Sequence, residues 1–423
     1  MTKNHGLWIA LFSLWSTAVA AQTIAVAEIN FNSDSTTTSG DWFELYNYGT
    51  SSVSLANWVF RDGNNQNQFV FPPTLQLAAG ARIVVVNDSQ KFKSRHPFVT
   101  NFFGSFNFGL GNNGDQIRLY DAQGNLVVFI EYADSLPWHP AADGTGRTLE
   151  LRSVTLNPND PNSWFVGCMF GSPGMPFAPC YDQIIFSEIN YNPNPLFNAG
   201  EWVELYNRGP SYVNLSGWSF KDSKEGNAFY LPANLHLPPQ SRLVLVGDTT
   251  LFDAMHPHVT NRIGNFDFNL SNDGELIRLF DYSGTLRFSM VYNDAGDWPK
   301  TPDGGGYTLE FSDTTWNVNN PLAWFAGCVG GSPGYAYDPD CLTGITDEPQ
   351  PLAQLTVVEG MLLITVPMGP PALLRLYSVE GHLLDAETLN PGQHRRPLRP
   401  MTLTPLLCTL IHPSGVITKK LIH

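Results

Sequence analysis

Charge is scarce in this chain. Asp, Glu, Lys and Arg make up 14% of its 423 residues, where about 25% is usual in globular proteins. Positive charge is scarcer still: 23 Lys and Arg stand against 38 Asp and Glu, a net charge of −15. A surface this acidic opposes nucleic acid and anionic lipid, and it tolerates or attracts divalent cations. Cysteine is limited to five residues with no C-x-x-C spacing, which argues against a thiolate metal site. Beyond residue 21 no apolar run is long enough to cross a bilayer. Catalytic signatures are missing as well. There is no H-E-x-x-H and no Cys with a credible His partner. No glycine-rich stretch follows a strand and opens a helix, so none is a phosphate cradle.

What the chain has in abundance is repetition. Gly40-Asp-Trp-Phe-Glu-Leu-Tyr-Asn47 recurs as Gly200-Glu-Trp-Val-Glu-Leu-Tyr-Asn207. Val53-Ser-Leu-Ala-Asn-Trp-Val-Phe60 recurs as Val213-Asn-Leu-Ser-Gly-Trp-Ser-Phe220. The chain is a tandem duplication, and its two copies are expected at 22–181 and 182–342. The repeated stretch alternates as a strand does: Trp202, Glu204 and Tyr206 on one face, Val203 and Leu205 on the other. Glu44 and Glu204 therefore lie at the sheet surface or are buried with a partner, because an unpaired buried charge is very costly.

Met1 to Ala21 has the pattern of a secretory signal peptide. Lys3 is the positive end, Leu7 to Trp15 the apolar run, and Ala18-Val-Ala20 the small-residue cleavage site. This places the mature protein outside the cytoplasm. Cysteine usage agrees, because Cys168 and Cys180 in the first copy match Cys328 and Cys341 in the second. Each copy is expected to close its own disulfide, Cys168–Cys180 and Cys328–Cys341, worth about 3 kcal/mol on the chain-entropy account.

Inside a copy, apolar runs alternate with Gly, Pro, Asn and Asp at the spacing of an all-β sandwich of eight or nine short strands. One helical turn interrupts them. Asp88 or Ser89 caps Gln90–Arg95, and Asp248 caps Thr250–Met255; His96-Pro97 and His256-Pro257 stop them. The two histidines are read as closing the helix ends by hydrogen bonding rather than as ligands or bases. Asp121-Ala-Gln-Gly124 and Asp281-Tyr-Ser-Gly284 are hairpin turns.

These residues together resemble the lamin-tail domain, most closely its bacterial members. The Glu28-Ile-Asn30 and Glu188-Ile-Asn190 strands, the Trp-x-Glu-Leu-x-Asn strands and the Val-x-Leu segments carry the resemblance. So do the Asn112 to Asp121 and Asn272 to Asp281 hairpins and the Gly-x-x-Leu-Glu strands ending at Glu150 and Glu310. It implies an immunoglobulin-like sandwich that serves as a non-enzymatic interaction module. The first copy departs at Asp41, where the motif has Glu, and at Ala56-Asn57, where it has Ser-Gly.

After a polar, Pro-containing linker at 343–352, residues 353–423 differ in charge. From Leu352 on there are six Lys and Arg against four Asp and Glu, which leaves 17 against 34 in the rest. Leu362–Val366, Leu373–Tyr377, Gly381–Leu384 and Gly415–Ile422 form a strand-rich unit with a basic end. It resembles the C-terminal sorting domain of type IX secretion cargo. Thr404-Pro-Leu-Leu-Cys408 stands where Gly-x-Tyr is usual. The resemblance implies the type IX machinery as a partner and export through the periplasm to the cell surface or medium. Unpaired Cys408 suits a segment that is later removed.

The repeated acids are the candidate chemistry: Glu28, Glu44, Asp62, Asp121, Asp143 and Glu150, matched by Glu188, Glu204, Asp222, Asp281, Asp303 and Glu310. Calcium is the one cofactor they could hold. Trp138 and Trp298 would be the exposed aromatics of a sugar-binding module. The expectation is an all-β chain with two immunoglobulin-like sandwiches and a small C-terminal β-sandwich. It would act as a secreted or surface interaction protein, not an enzyme, with an unknown protein or glycan ligand. A carbohydrate- or calcium-dependent binding module or adhesin is the alternative. A hydrolase would need its carboxylates to flank a cleft.

Overall fold

In the computed structural model the described residues are 23–312, 317–339 and 341, then 354–358, 361–366, 371–378, 382–397, 406–412 and 415–421. The signal segment at 1–21 and the linker at 343–352 lie outside the described residues.

The first copy runs β1 (Ile24–Asn30), β2 (Trp42–Asn47), β3 (Val53–Ser54), β4 (Val59–Arg61), β5 (Phe69–Val70), β6 (Gln76–Leu77) and β7 (Arg82–Val86). It continues through α1 (Ser89–Arg95), β8 (Phe102–Gly104), β9 (Gly114–Tyr120), β10 (Leu126–Ala133), β11 (Arg147–Leu151) and β12 (Trp164–Met169). Eight or nine strands were expected; the extra ones are pairings of two or three residues, too short to leave a periodic signal. One sheet has the order β12-β11-β1-β2-β7-β8, the other β10-β9-β4-β5, and β3-β6 is a small ribbon. All pairings in the large sheet are antiparallel except β7 with β8. Ile29, Phe43, Leu45, Val85 and Leu149 face Phe60, Ile117, Leu119 and Ile130 of the second sheet in one core. This is a sandwich of the immunoglobulin kind.

The second copy repeats it. Its elements are β13 (Ile184–Asn190), β14 (Trp202–Asn207), β15 (Val213–Asn214), β16 (Ser219–Lys221), β17 (Phe229–Tyr230), β18 (His236–Leu237) and β19 (Ser241–Val246). Then come α2 (Thr249–Met255), β20 (Arg262–Gly264), β21 (Gly274–Phe280), β22 (Leu286–Asn293), β23 (Tyr307–Phe311) and β24 (Trp324–Val329). The sheets are β20-β19-β14-β13-β23-β24 and β17-β16-β21-β22. Both helices are capped as read: Asp88 accepts from Gln90 N and Lys91 N, and Asp248 from Thr250 N and Leu251 N.

The copies are joined by a buried contact that the repeat pattern does not contain. Arg147, in the position of Tyr307, is buried. Its Nε donates to Ser289 O at 3.0 Å, its Nη1 to Gly167 O at 3.2 Å, and its Nη2 lies 3.5 Å from Asp182 Oδ2. Ser289 Oγ returns a bond to Thr145 O at 2.7 Å.

The C-terminal strands are β25 (Gln354–Val358), β26 (Met361–Val366), β27 (Ala372–Ser378), β28 (Leu383–Leu389), β29 (Gly392–Pro397), β30 (Leu406–His412) and β31 (Gly415–Leu421). They form sheets β25-β26-β29 and β28-β27-β30-β31 around a core that includes Leu362, Ile364, Leu374, Cys408 and Leu410. The segment around Cys408 is thus a strand between β27 and β31. Cys408 is fully buried, so its thiol is sequestered and its being unpaired is no argument for removal.

Candidate functional site

Cross-strand register gathers half of the repeated acids into two rows. Glu28 lies opposite Glu44 on β2 and opposite Glu150 on β11. Glu188 lies opposite Glu204 and Glu310. Because Ile29, Phe43 and Leu149 point into the core, the glutamates occupy the other face of the large sheet. That face is not open to water: Glu28 and Glu44 are 0% exposed and Glu150 is 3% exposed.

The cover is the loop that the disulfide closes. Cys168 bonds Cys180 and Cys328 bonds Cys341, as the spacing predicts. In the first loop Ser172 N donates to Glu28 Oε1 at 2.9 Å, Ser172 Oγ to Glu150 Oε1 at 2.7 Å, and Gly174 N to Glu44 Oε2 at 2.6 Å. In the second, Ser332 N donates to Glu188 at 2.9 Å, Ser332 Oγ to Glu310 at 3.1 Å, and Gly334 N to Glu204 at 2.7 Å. Thr148 and Thr308 hydroxyls add bonds to Glu28 and Glu188 at 2.7 and 2.6 Å. The repeated Gly-Ser-Pro-Gly sequence follows from this contact. Gly171 and Gly331 have φ of +74° and +84°, and a methyl group on either would overlap the carboxylate of Glu28 or Glu188.

Each row has one cation. Arg82 pairs with Glu44, and Arg242 Nε lies 3.0 Å from Glu204 Oε1. Three carboxyls and one guanidinium leave protons to be held. Burial is the main cause that raises the pKa of all six glutamates. Glu150 is pushed up to about 7. Among the described residues Glu28 Oε2 has no hydrogen-bond partner, and Glu150 lies opposite Glu28 on the neighbouring strand. Two carboxyls can face each other so closely only when one is protonated, and the raised pKa of both is what such a shared proton requires. Glu188 and Glu310 face each other in the same register, and the pKa of each is raised. The row can store a proton and clamp a loop. It cannot flank a substrate, because substrate has no way in to it.

The other repeated acids are elsewhere, each engaged by its own partners. Asp62 accepts from Asn64 N and Asn67 Nδ2 at 2.8 and 2.6 Å, and Asp222 repeats this with Lys224 N and Asn227 Nδ2. Asp121 and Asp281 tie their hairpin turns, Asp121 through Gln123 N and Asn125 N and Asp281 through Ser283 N and Thr285 N. Asp143 and Asp303 accept from Asn32 and Asn192, both at 2.6 Å. Among the described residues no group of three or more His, Cys, Asp or Glu is placed to hold a metal ion; these aspartates serve backbone amides and asparagines instead.

The expected sugar platforms are not exposed. Trp138 is 7% exposed and packs on Trp164 at 6.3 Å. Trp298 is half-buried on Trp324 at 5.9 Å. Both rings pack against the sandwich cores instead. The histidines close their helix ends by hydrogen bonding, as expected, and do so through the backbone. The backbone N–H of each caps its helix, to Phe92 O and Phe252 O. The rings pack on Trp42 and Phe92, or on Trp202 and Phe252. Burial lowers their pKa to about 4 for His96 and about 3 for His256. Sequence reasoning missed the roles of Ser172, Gly174 and Arg82 and their counterparts; the repeated Gly-Ser-Pro-Gly beside a cysteine was the available signal.

A family model described as Lamin Tail Domain matches residues 17–134 and 179–294, more than half of the chain. Each match ends before the third glutamate of its row and before its disulfide loop. No curated protein matches the chain. Among solved structures it is similar to the BSP domain of a biofilm associated protein, at 10% identity and a TM-score of 0.17, covering 95% of this chain and 81% of that one. It is also similar to an exo-chitosanase of Amycolatopsis orientalis, at 15% identity and a TM-score of 0.14, covering 52% of this chain and 25% of that one. TM-scores this low carry no argument about function.

Proposed function

The chain belongs to the lamin tail domain family, and from that premise we propose that it is a non-enzymatic interaction protein, released from the cell or displayed on its surface. The observation that carries this reading is the closure of both glutamate rows beneath disulfide loops. The acidic groups that the duplication preserves and the fold gathers are sealed, so what was duplicated is a scaffold rather than an active site. The two disulfides support an oxidising compartment. The test is turnover of generic ester, phosphate and glycoside substrates by the full chain. No turnover is expected; turnover abolished by E28Q or E188Q overturns the reading.

The export route is the second part of the proposal. The C-terminal unit resembles a type IX sorting domain, and it would be read at the outer membrane and then removed near 343–352. A chain lacking 352–423 is expected to fold with both disulfides and stay in the periplasm. Cell fractionation checks this, and wild-type amounts of the truncated protein at the surface or in the medium refute it.

A further inference from the structure

A groove of about 300 Å³ lies where the two copies meet. One wall is the Asp34–Thr36 loop of the first copy; the other is the β16–β17 edge and the turn after β21 in the second. The walls are tied together, since Leu286 N donates to Thr36 Oγ1 at 3.1 Å. Tyr230 and Tyr282 line the groove and are 71% and 81% exposed. Single exposed aromatics are ordinary, but two that line one groove make a candidate contact surface. Tyr282 stands over Gly217, where an added Cβ would sit 3.5 Å from the tyrosine Cβ. Tyr230 lies beside Ser219, which lies beside Phe280 in the next strand.

The charges around the groove are already matched. Lys221 lies 3.3 Å from Glu225, which Arg278 also holds. Asp281 is 2.7 Å from Arg287, and Asp34 accepts from Thr36. What the groove offers is therefore two aromatic faces with hydroxyls and paired polar groups between them. The first copy has Val70 and Ala122 at the tyrosine positions and Asn57 in place of Gly217, so this chemistry does not come with the fold. The nearby sheet edge, β17, is two residues long, too short to template an added peptide strand.

We propose that this junction groove binds a neutral, hydroxyl-rich oligosaccharide, with Tyr230 and Tyr282 stacking on its sugar rings. The C–H face of a pyranose is apolar and its rim is polar, which matches aromatic platforms flanked by hydroxyls and neutralised charge. The volume is at the low end for ligand sites, so the groove holds a short segment of the chain. The proposal gives the non-enzymatic binding reading a site and a ligand class.

The test is an array of neutral gluco-, manno-, xylo- and chito-oligosaccharides, followed by titration of any retained sugar into the full chain. Y230A and Y282A should each weaken binding about tenfold. Y212A, which removes another exposed tyrosine outside the groove, should leave it unchanged. No retained sugar, a preference for acidic sugars, or binding that survives Y230A/Y282A overturns the proposal. The bound sugar is then recovered and sized. Unchanged length supports the non-enzymatic reading, whereas shortening overturns that reading and leaves the site standing.

Discussion

Replacing Glu150 by Gln should stabilise the protein above neutral pH and do almost nothing in mild acid. In the folded chain Glu150 titrates at about 7, raised from 4.5 chiefly by burial. Between those values the folded state keeps a proton that the unfolded chain has released. Stability from this group is complete below about 4.5, falls as pH rises, and levels off above about 7. A rise of that size is worth on the order of 3 kcal/mol. The Gln amide keeps an N–H toward Glu28 at every pH, and its carbonyl still accepts from Ser172 Oγ. E150Q should therefore recover up to about 3 kcal/mol at pH 8, raising the Tm of the first copy by about 6–12 °C. Calorimetry of both proteins at pH 4.5 and pH 8 is the assay, and E310Q identifies the transition of the second copy. An equal Tm change at both pH values, or a lower Tm for E150Q at pH 8, would show that the row does not share a proton.

The remaining expectations concern the loop and its neighbours. G171A places a methyl against Glu28 at a positive φ, so it should cost at least about 1–2 kcal/mol and lower the Tm of the first copy while leaving the second unchanged. C168S/C180S removes a bridge across a sequence separation of 12 and should cost about 3 kcal/mol; non-reducing peptide mapping of the wild type should find no cross-copy pairs. Millimolar calcium should leave the melting curve unchanged, because the repeated aspartates are apart from one another and each already serves amide donors of its own; a rise in Tm would reveal a calcium site.

The sequence made some layers of this structure visible and hid others, for physical reasons. Alternation around Trp202 to Tyr206, the Asp88 and Asp248 caps and the disulfide pairs are local signals, and the structure has them where they were expected. Glu44 and Glu204 were recognisable as carboxylates that needed a partner. Which other acids would join them was not, because that depends on the register between strands far apart in sequence. A single-residue slip of β11 would have sent Glu150 into the core. The tryptophans misled for a related reason: Trp138 sits among loop residues, and only its contact with Trp164 takes it out of solvent. In the C-terminal unit β30 was missed because its turn-like Thr404-Pro405 flank hid an apolar strand.

The two copies are not independent beads on a string. A free hinge would leave the Arg147 guanidinium in water, whereas here it is sealed between the copies and bonded to backbone carbonyls on both sides. Burying a guanidinium costs more than it returns unless its donors are met, so the contact specifies one relative placement. That placement brings the Asp34–Thr36 loop against the β22 strand and completes the groove that holds Tyr230 and Tyr282. The residues that make it, Arg147 and the two tyrosines, are ones the copies do not share, whereas the glutamate rows and their Gly-Ser-Pro-Gly covers are common to both. The shared residues keep each sandwich folded, and the unshared ones gave the pair a surface that a single copy cannot form.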